Sequence, residues 1–243
     1  MHITEKSLLA IVTLASATLA SAQSAYTGGH GDIGIAFEGG AFEPHWHLGA
    51  GATVDGSPLA SEGEYEPGDI FAETSFTRMS PSGLNAGLGV ADGTEVYVLG
   101  SASYPPNLGF AAEELDPSDW IGDITLTLSG WTTPLGGELA IYSTNLAGST
   151  VSDIAFSTYD VGATFSSNSI SLTPGDHGHF EWAMTIVGNY DLEFTWEGTH
   201  VTEGFQSATQ TFSASAVPEP ATTALLLAAS VAGLTIFQRR RRA

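Results

Sequence analysis

Two His-x-His pairs carry the residue types best suited to chemistry. One is His45 and His47 in the stretch EPHWHLG; the other is His177 and His179 in GDHGHFEW. On an extended strand, residues i and i+2 point to the same side, about 7 Å apart along the chain. Two imidazoles so placed can reach one ion, and zinc accepts neutral imidazole in sets of three or four ligands. His30, in GGHGDIG, adds a fifth candidate. Parity separates all five from the apolar side. Trp46 and Leu48 oppose His45 and His47, Phe180 and Trp182 oppose His177 and His179, and Ile33, Ile35 and Phe37 oppose His30 and Asp32. The ligand set expected from sequence is therefore His30, His45, His47, His177 and His179. Asp32, Glu43 and Glu181 lie close enough in sequence to hold the rings in place through their second nitrogens. The two pairs are far apart in the chain, so the fold must bring them together. His200 follows the inward parity of Trp196 and is left out.

Other chemistries find less support. A zinc hydrolase needs an open coordination position and a general base, which Glu43 or Glu181 would have to supply. The sequence contains neither H-E-x-x-H nor G-x-S-x-G. A cupin-type site expects a Glu shortly after its His-x-His, whereas Leu48-Gly49-Ala50-Gly51 follows His47. The acid-rich stretch Glu62 to Asp69 offers oxygens for calcium but no D-x-D-x-D-G loop, and reads as a solvated loop. The many carboxylates allow pairs of the kind used in glycoside hydrolysis, but nothing selects one pair.

The elements that must position the histidines have a period of two. Ile124, Leu126 and Leu128 alternate with Thr125, Thr127 and Ser129; Tyr190, Leu192, Phe194 and Trp196 alternate with Asp191, Glu193, Thr195 and Glu197. Phe180 to Val187 shows the same pattern. Such alternation marks half-buried strands. Gly39-Gly40, Pro81-Ser82-Gly83, Asp92-Gly93, Gly136-Gly137, Pro174-Gly175-Asp176 and Gly188-Asn189 punctuate them. The expected fold is all-β, an antiparallel β-sandwich of Ig-like or jelly-roll-like type. Only Phe110 to Leu115 and Asp116 to Ile121 suggest helical turns, and residues 49 to 69 read as a long loop.

Charge is lopsided. Arg78 is the only Lys or Arg between residues 23 and 216, against all but two (Glu5 and Glu219) of the chain's 27 acidic residues. Nucleic acid is excluded as a partner, because phosphate binding needs a basic footprint. Cations suit this surface, and the acidity also keeps an exported protein soluble. There is no cysteine, so no disulfide can staple the fold.

Both ends read as processing signals. At the N-terminus, His2 and Lys6 precede the apolar run Leu8 to Leu19 and an Ala20-Ser21-Ala22 cleavage site, which marks residues 1–22 as a signal peptide. This implies a Sec translocon and a signal peptidase as partners. At the C-terminus, Pro218, Glu219 and Pro220 precede an apolar run from Ala221 to Phe237, short but sufficient for a transmembrane helix. Arg239, Arg240, Arg241 and Arg242 follow and resist translocation. The two prolines stiffen the chain ahead of the span and remove backbone donors. Residues 217–243 thus resemble the PEP-CTERM sorting signal of Gram-negative bacteria. That resemblance implies recognition and cleavage by an exosortase, transient anchoring in the membrane, and release to the cell surface or extracellular matrix.

The expected secreted domain, residues 23–216, carries two further resemblances. Gly28 to His47 is similar to the opening of a PEP-CTERM family associated with zinc-uptake regulation. His177 to Val201 resembles the actinobacterial surface-anchored domain called choice-of-anchor M, which occurs alongside metal-type ABC transport systems; Met184 stands where Phe is usual. These resemblances imply metal association through the five histidines, and the expected partner is a metal-uptake system or an exopolysaccharide. Residues 48–176 carry no assignable motif. The resulting expectation is an exported, non-catalytic surface protein that binds a transition metal, with a metal-free matrix or biofilm component and a zinc hydrolase as alternatives.

Overall fold

A computed structural model describes residues 23–159 and 168–219. The expected signal peptide and transmembrane segment lie outside these residues. In chain order the strands are β1 (Ser24–Gly28), β2 (His30–Glu38), β3 (Ala41–Leu48), β4 (Thr53–Val54), β5 (Ser57–Pro58), β6 (Gly63–Tyr65), β7 (Ile70–Thr74), β8 (Thr77–Met79), β9 (Glu95–Leu99), β10 (Asn107–Ala111), β11 (Ile124–Thr132), β12 (Leu139–Thr144), β13 (Val151–Ser157), β14 (Ser169–Leu172), β15 (His177–His179), β16 (Glu181–Met184), β17 (Gly188–His200) and β18 (Gly204–Ala216). A single short helix, α1 (Asn85–Leu88), and a 3-10 turn at Pro117–Asp119 complete the described elements. The turn starts at Asp116, whose carboxylate accepts from the Ser118 amide at 2.9 Å and satisfies an orphan donor.

The strands form three sheets. An eight-stranded sheet has the order β14-β11-β17-β18-β7-β1-β4-β5. A five-stranded sheet, β15-β10-β2-β3-β6, carries the five candidate histidines, and a second, β13-β12-β16-β9-β8, lies beside it in the chain's path. Alternation places Tyr190, Leu192, Phe194 and Trp196 of β17 and Ile124, Leu126 and Leu128 of β11 inside, as their period of two requires. They join one core with Ile33, Ile35 and Trp46 of the histidine sheet and with Ile141, Trp182 and Met184 of the third sheet. Edge-to-face rings bind the layers: Trp46 on Phe212 at 5.2 Å and Phe110 on Phe194 at 5.2 Å. Burying each such ring contributes about 1.5–3 kcal/mol. The result is a sandwich with one continuous layer and one divided layer.

Two of the three sheets are mixed, where a purely antiparallel sandwich was expected; the third, β13-β12-β16-β9-β8, is antiparallel throughout. β1 and β18 both run parallel to β7, and β10 runs parallel to β2. Parallel neighbours need a crossover, and the chain between β2 and β10 supplies it. β2 is also buried on both faces from Gly31 to Ala36, so the side carrying Asp32 is covered rather than wet. Residues 49 to 69, expected as loop, contain the short strands β4, β5 and β6. The apolar alternation after His177 does not form one strand. The chain leaves the histidine sheet at Phe180 and enters the third sheet as β16. Gly100, at φ 103°, permits the crossing: a Cβ there would overlap the Phe180 carbonyl.

Candidate metal centre

Register explains how the histidines share a surface. Cross-strand partners point to the same face of a sheet. One row runs His179, Gly109, Asp32, His47, Glu64 across β15, β10, β2, β3 and β6. The next row runs His177, Ala111, Gly34, His45. His30 stands two residues before Asp32 and so joins the same face. The residues between the ligand candidates are small. Gly109 separates His179 from Asp32, and a Cβ on it would overlap Asp32 Oδ1. Without that Cβ, groups from β15 and β2 meet over β10.

Among the described residues, His30, His177 and His179 form a group whose ligand nitrogens all lie within 4.8 Å of one another. His30 Nε2 lies 3.2 Å from His179 Nε2 and 3.6 Å from Asp32 Oδ2. Zn–N bonds of about 2.0–2.1 Å turn a 3.2 Å nitrogen separation into an angle of roughly 100–105° at the ion, close to tetrahedral. Asp32 is 1% exposed, and neither of its oxygens has a hydrogen-bond partner among the described residues. Burial pushes its carboxyl above the usual carboxylate range; His30, His179 and His177 pull it back down, and Glu113 adds to the rise. Burial holds the His179 imidazole below its ordinary value, against the opposing pull of Asp32, which favours the neutral, ligating form. Glu113 Oε1 sits 2.5 Å from His177 Nδ1. This is the carboxylate–histidine contact that fixes a tautomer and leaves Nε2 free to ligate.

His45 and His47 do not join that group. Glu114 takes them instead, with its Oε1 2.9 Å from His45 Nε2 and 3.9 Å from His47 Nδ1. The other ring nitrogen of His45 lies 3.1 Å from the Glu43 carbonyl oxygen. Glu43 thus touches the ring through its backbone, while its side chain faces an acidic groove. Glu181 is placed elsewhere. It belongs to the third sheet, accepts from Arg78 Nη1 at 2.9 Å and from the Tyr142 hydroxyl at 3.0 Å, and neutralises the lone basic residue of the described chain. The sheet switch at Phe180 takes it away from His179, two residues earlier. Asp32, expected behind the candidate ligands, approaches one of them directly, with Oδ2 3.6 Å from His30 Nε2, but is not part of the three-histidine group. His200 stacks on Phe37 at 4.6 Å, outside the site.

Glu113 and Glu114 escaped the sequence reading. They lie in the segment expected as a helical turn, which is the end of β10 and the tight turn closed by the Leu115 amide on the Ala112 carbonyl. A pair of adjacent acids directly after a strand was the available signal.

The fold and site define an all-β protein with a histidine-and-carboxylate face on one sheet. Its tail assigns the route it takes. The family model for the PEP-CTERM protein-sorting motif matches residues 216–242. The motif supports export and sorting to the cell surface with processing by an exosortase. No match was found among curated proteins or among solved structures. Pro218 and Glu219 follow directly on Val217, whose amide donates to the Thr74 carbonyl at 2.9 Å at the end of the β18–β7 pair. Pro220, Arg239 to Arg242 and the apolar run 221–237 lie outside the described residues. No helix among the described residues is long and apolar enough to cross a membrane.

Proposed function

We propose that this protein is an exported surface or matrix protein that binds one transition-metal ion, zinc by ligand preference, through His30, His177, His179 and Asp32. The observation that carries the reading is the group of three imidazoles, His30, His177 and His179, beside the buried Asp32 carboxylate, which has no hydrogen-bond partner. A buried, unpaired charge is costly unless a cation completes it. Three neutral imidazoles and one carboxylate suit zinc, with Glu113 orienting His177. The resemblance of Gly28 to His47 to a PEP-CTERM family associated with zinc-uptake regulation, and of His177 to Val201 to a domain found alongside metal-type transport systems, agrees with this reading. Leader processing would use the Sec translocon and signal peptidase, and a metal-uptake system or an exopolysaccharide would be the partner outside.

Elemental analysis of the purified full-length chain tests this. Zinc should be found and should be removable by chelator, and isothermal titration should restore it. A chain that contains no metal and takes up none would refute the proposal. The metal-free matrix alternative predicts the same melting temperature with and without chelator. Metal-coupled stability predicts a drop of about 2.7 kcal/mol or more when free metal falls from a hundredfold excess over its Kd.

A further inference from the structure

We propose that one end of the eight-stranded sheet is a lipid-facing surface, which lies against the bilayer while the tail holds the chain there. Four neighbouring strands, β11, β17, β18 and β7, share this end: Thr132 pairs with Asp191, Gly188 with Ala216, and Ala216 with Thr74. The turns beyond them bare apolar side chains. Phe76 follows β7, Leu135 lies between β11 and β12, and Ile186 and Val187 lie between β16 and β17. Each is more than a third exposed, and Leu135 completely so. Two of these turns are packed on one another. A Cβ on Gly188 would lie 2.6 Å from Pro134 Cγ, and one on Gly137 would lie 3.0 Å from Ile186 Cγ1. The Tyr190 hydroxyl donates to the Ile186 carbonyl at 2.8 Å and holds the second turn closed. Apolar side chains gathered at one end, on turns held in place, mark a surface with a partner.

The point where the chain leaves the fold identifies the partner. β18 ends at Ala216, beside Gly188 and Thr74, and the Val217 amide still donates to the Thr74 carbonyl at 2.9 Å. Four residues, Val217 to Pro220, separate that point from the apolar run 221–237. Fully extended, four residues reach about 14 Å at most. The headgroup layer on each side of the hydrocarbon core is about 5–8 Å thick. With the apolar run in a membrane, the end that carries Phe76, Val187 and Val217 therefore stands at the bilayer surface. Tethering makes the contact intramolecular, so a few apolar side chains suffice where they could not hold a free protein to lipid. Charge points to uncharged headgroups. Arg78 is the only Lys or Arg among the described residues and is bonded to Glu181, which leaves no cation to draw the surface to anionic lipid. The opposite end, eleven residues along β17 and about 36 Å away, also bares Ile121, Val201 and Phe205, but the tail does not leave from there.

The inference rests on membrane anchoring by the tail, so the test reads the two separately. The chain has no cysteine, so Val187→Cys, Leu135→Cys and Phe205→Cys each accept a single environment-sensitive dye. Residues 23–243, the chain without its expected signal peptide, are reconstituted into phosphatidylcholine vesicles with and without lipid spin-labelled near the headgroup. Flotation with the vesicles reports the anchoring. In floated protein the dyes at positions 187 and 135 should shift to the blue and lose most of their emission to spin-labelled lipid. The dye at position 205 should do neither. Adding Leu135→Asp to Val187→Cys should move the emission back to the red without loss of flotation. A chain that does not float overturns the anchoring, and the inference with it. A chain that floats with unshifted, unquenched dyes at positions 187 and 135 overturns the inference alone. So does quenching at position 205 equal to that at 187, because the two ends would then meet lipid alike. A blue-shifted dye that spin-labelled lipid does not quench would replace the bilayer with a second copy of the chain.

Discussion

Glu113 and Glu114 are adjacent in the chain but reach different histidines: Glu113 contacts His177, and Glu114 lies between His45 and His47. The turn after β10 therefore straddles two clusters and ties both to one short backbone segment. Each carboxylate has a separate job. Glu113 Oε1 contacts His177 Nδ1, on a ring of the three-histidine group, whereas Glu114 Oε1 faces His45 Nε2, outside it. Replacing Glu113 by Gln should leave the fold unchanged and weaken zinc binding about 10–100-fold, the usual loss when a ligand histidine is deprived of its carboxylate. Competition titration against a coloured chelator measures this directly.

Asp32 should trade stability for binding. Its carboxyl is held above the unfolded value of 3.8, chiefly by burial. A raised acid pKa means that the folded state prefers the protonated form. The cost is absent below the unfolded value and fully present once pH exceeds the folded value. The metal-free protein should therefore lose stability across that window as pH rises, and metal should restore it. Asp32→Asn removes the charge. It should raise the metal-free melting temperature by a few degrees, from about 1–3 kcal/mol of relieved desolvation at about 2–4 °C per kcal/mol. The same variant should bind zinc far more weakly. A lower melting temperature in chelator would show that the carboxylate has protein partners instead.

Arg78 and Glu181 provide a control with the opposite signature. Their 2.9 Å pair, joined by the Tyr142 hydroxyl, is 17% exposed on each side chain and lies in the third sheet. Arg78→Met should cost about 1–3 kcal/mol, because Glu181 keeps its burial and loses its cation. Zinc stoichiometry and affinity should not change. Thermal melts and titration on the same preparation separate the two effects.

The strands were legible where one face is apolar. Tyr190 to Trp196 and Ile124 to Leu128 are buried at every second residue, as their pattern required, and Gly39-Gly40 turns β2 into β3 with φ of 59° and 88°. The shared face of the histidines was legible for the same reason. A period of two assigns a face to each residue but says nothing about which strand lies alongside. β10, with the sequence NLGFA, carries no histidine, no carboxylate and no motif, yet it sits between His179 and Asp32. Its parallel pairing with β2 depends on contacts across the whole sandwich. Glu181 shows the converse. It is close to His179 in sequence and in pattern, but the sheet switch at Phe180 cannot be read from alternation.

Gly109 is where this insertion of β10 meets the chemistry. An added Cβ would overlap Asp32 Oδ1, lie 2.7 Å from the Gly178 carbonyl and approach His179 Nδ1 to 3.2 Å. The carboxylate would have to rotate away, and the β10–β15 pair would have to open slightly. Gly109→Ala should therefore weaken zinc binding at least tenfold, with a smaller fall in melting temperature than a core deletion, which costs about 2–5 kcal/mol. His179→Ala supplies the comparison: it removes a ligand from a short edge strand, so it should abolish tight binding with a stability change near 0.5 kcal/mol or less in the metal-free state. If Gly109→Ala binds zinc like the wild type, Asp32 does not act from over β10, and the ligand set reduces to the three imidazoles alone.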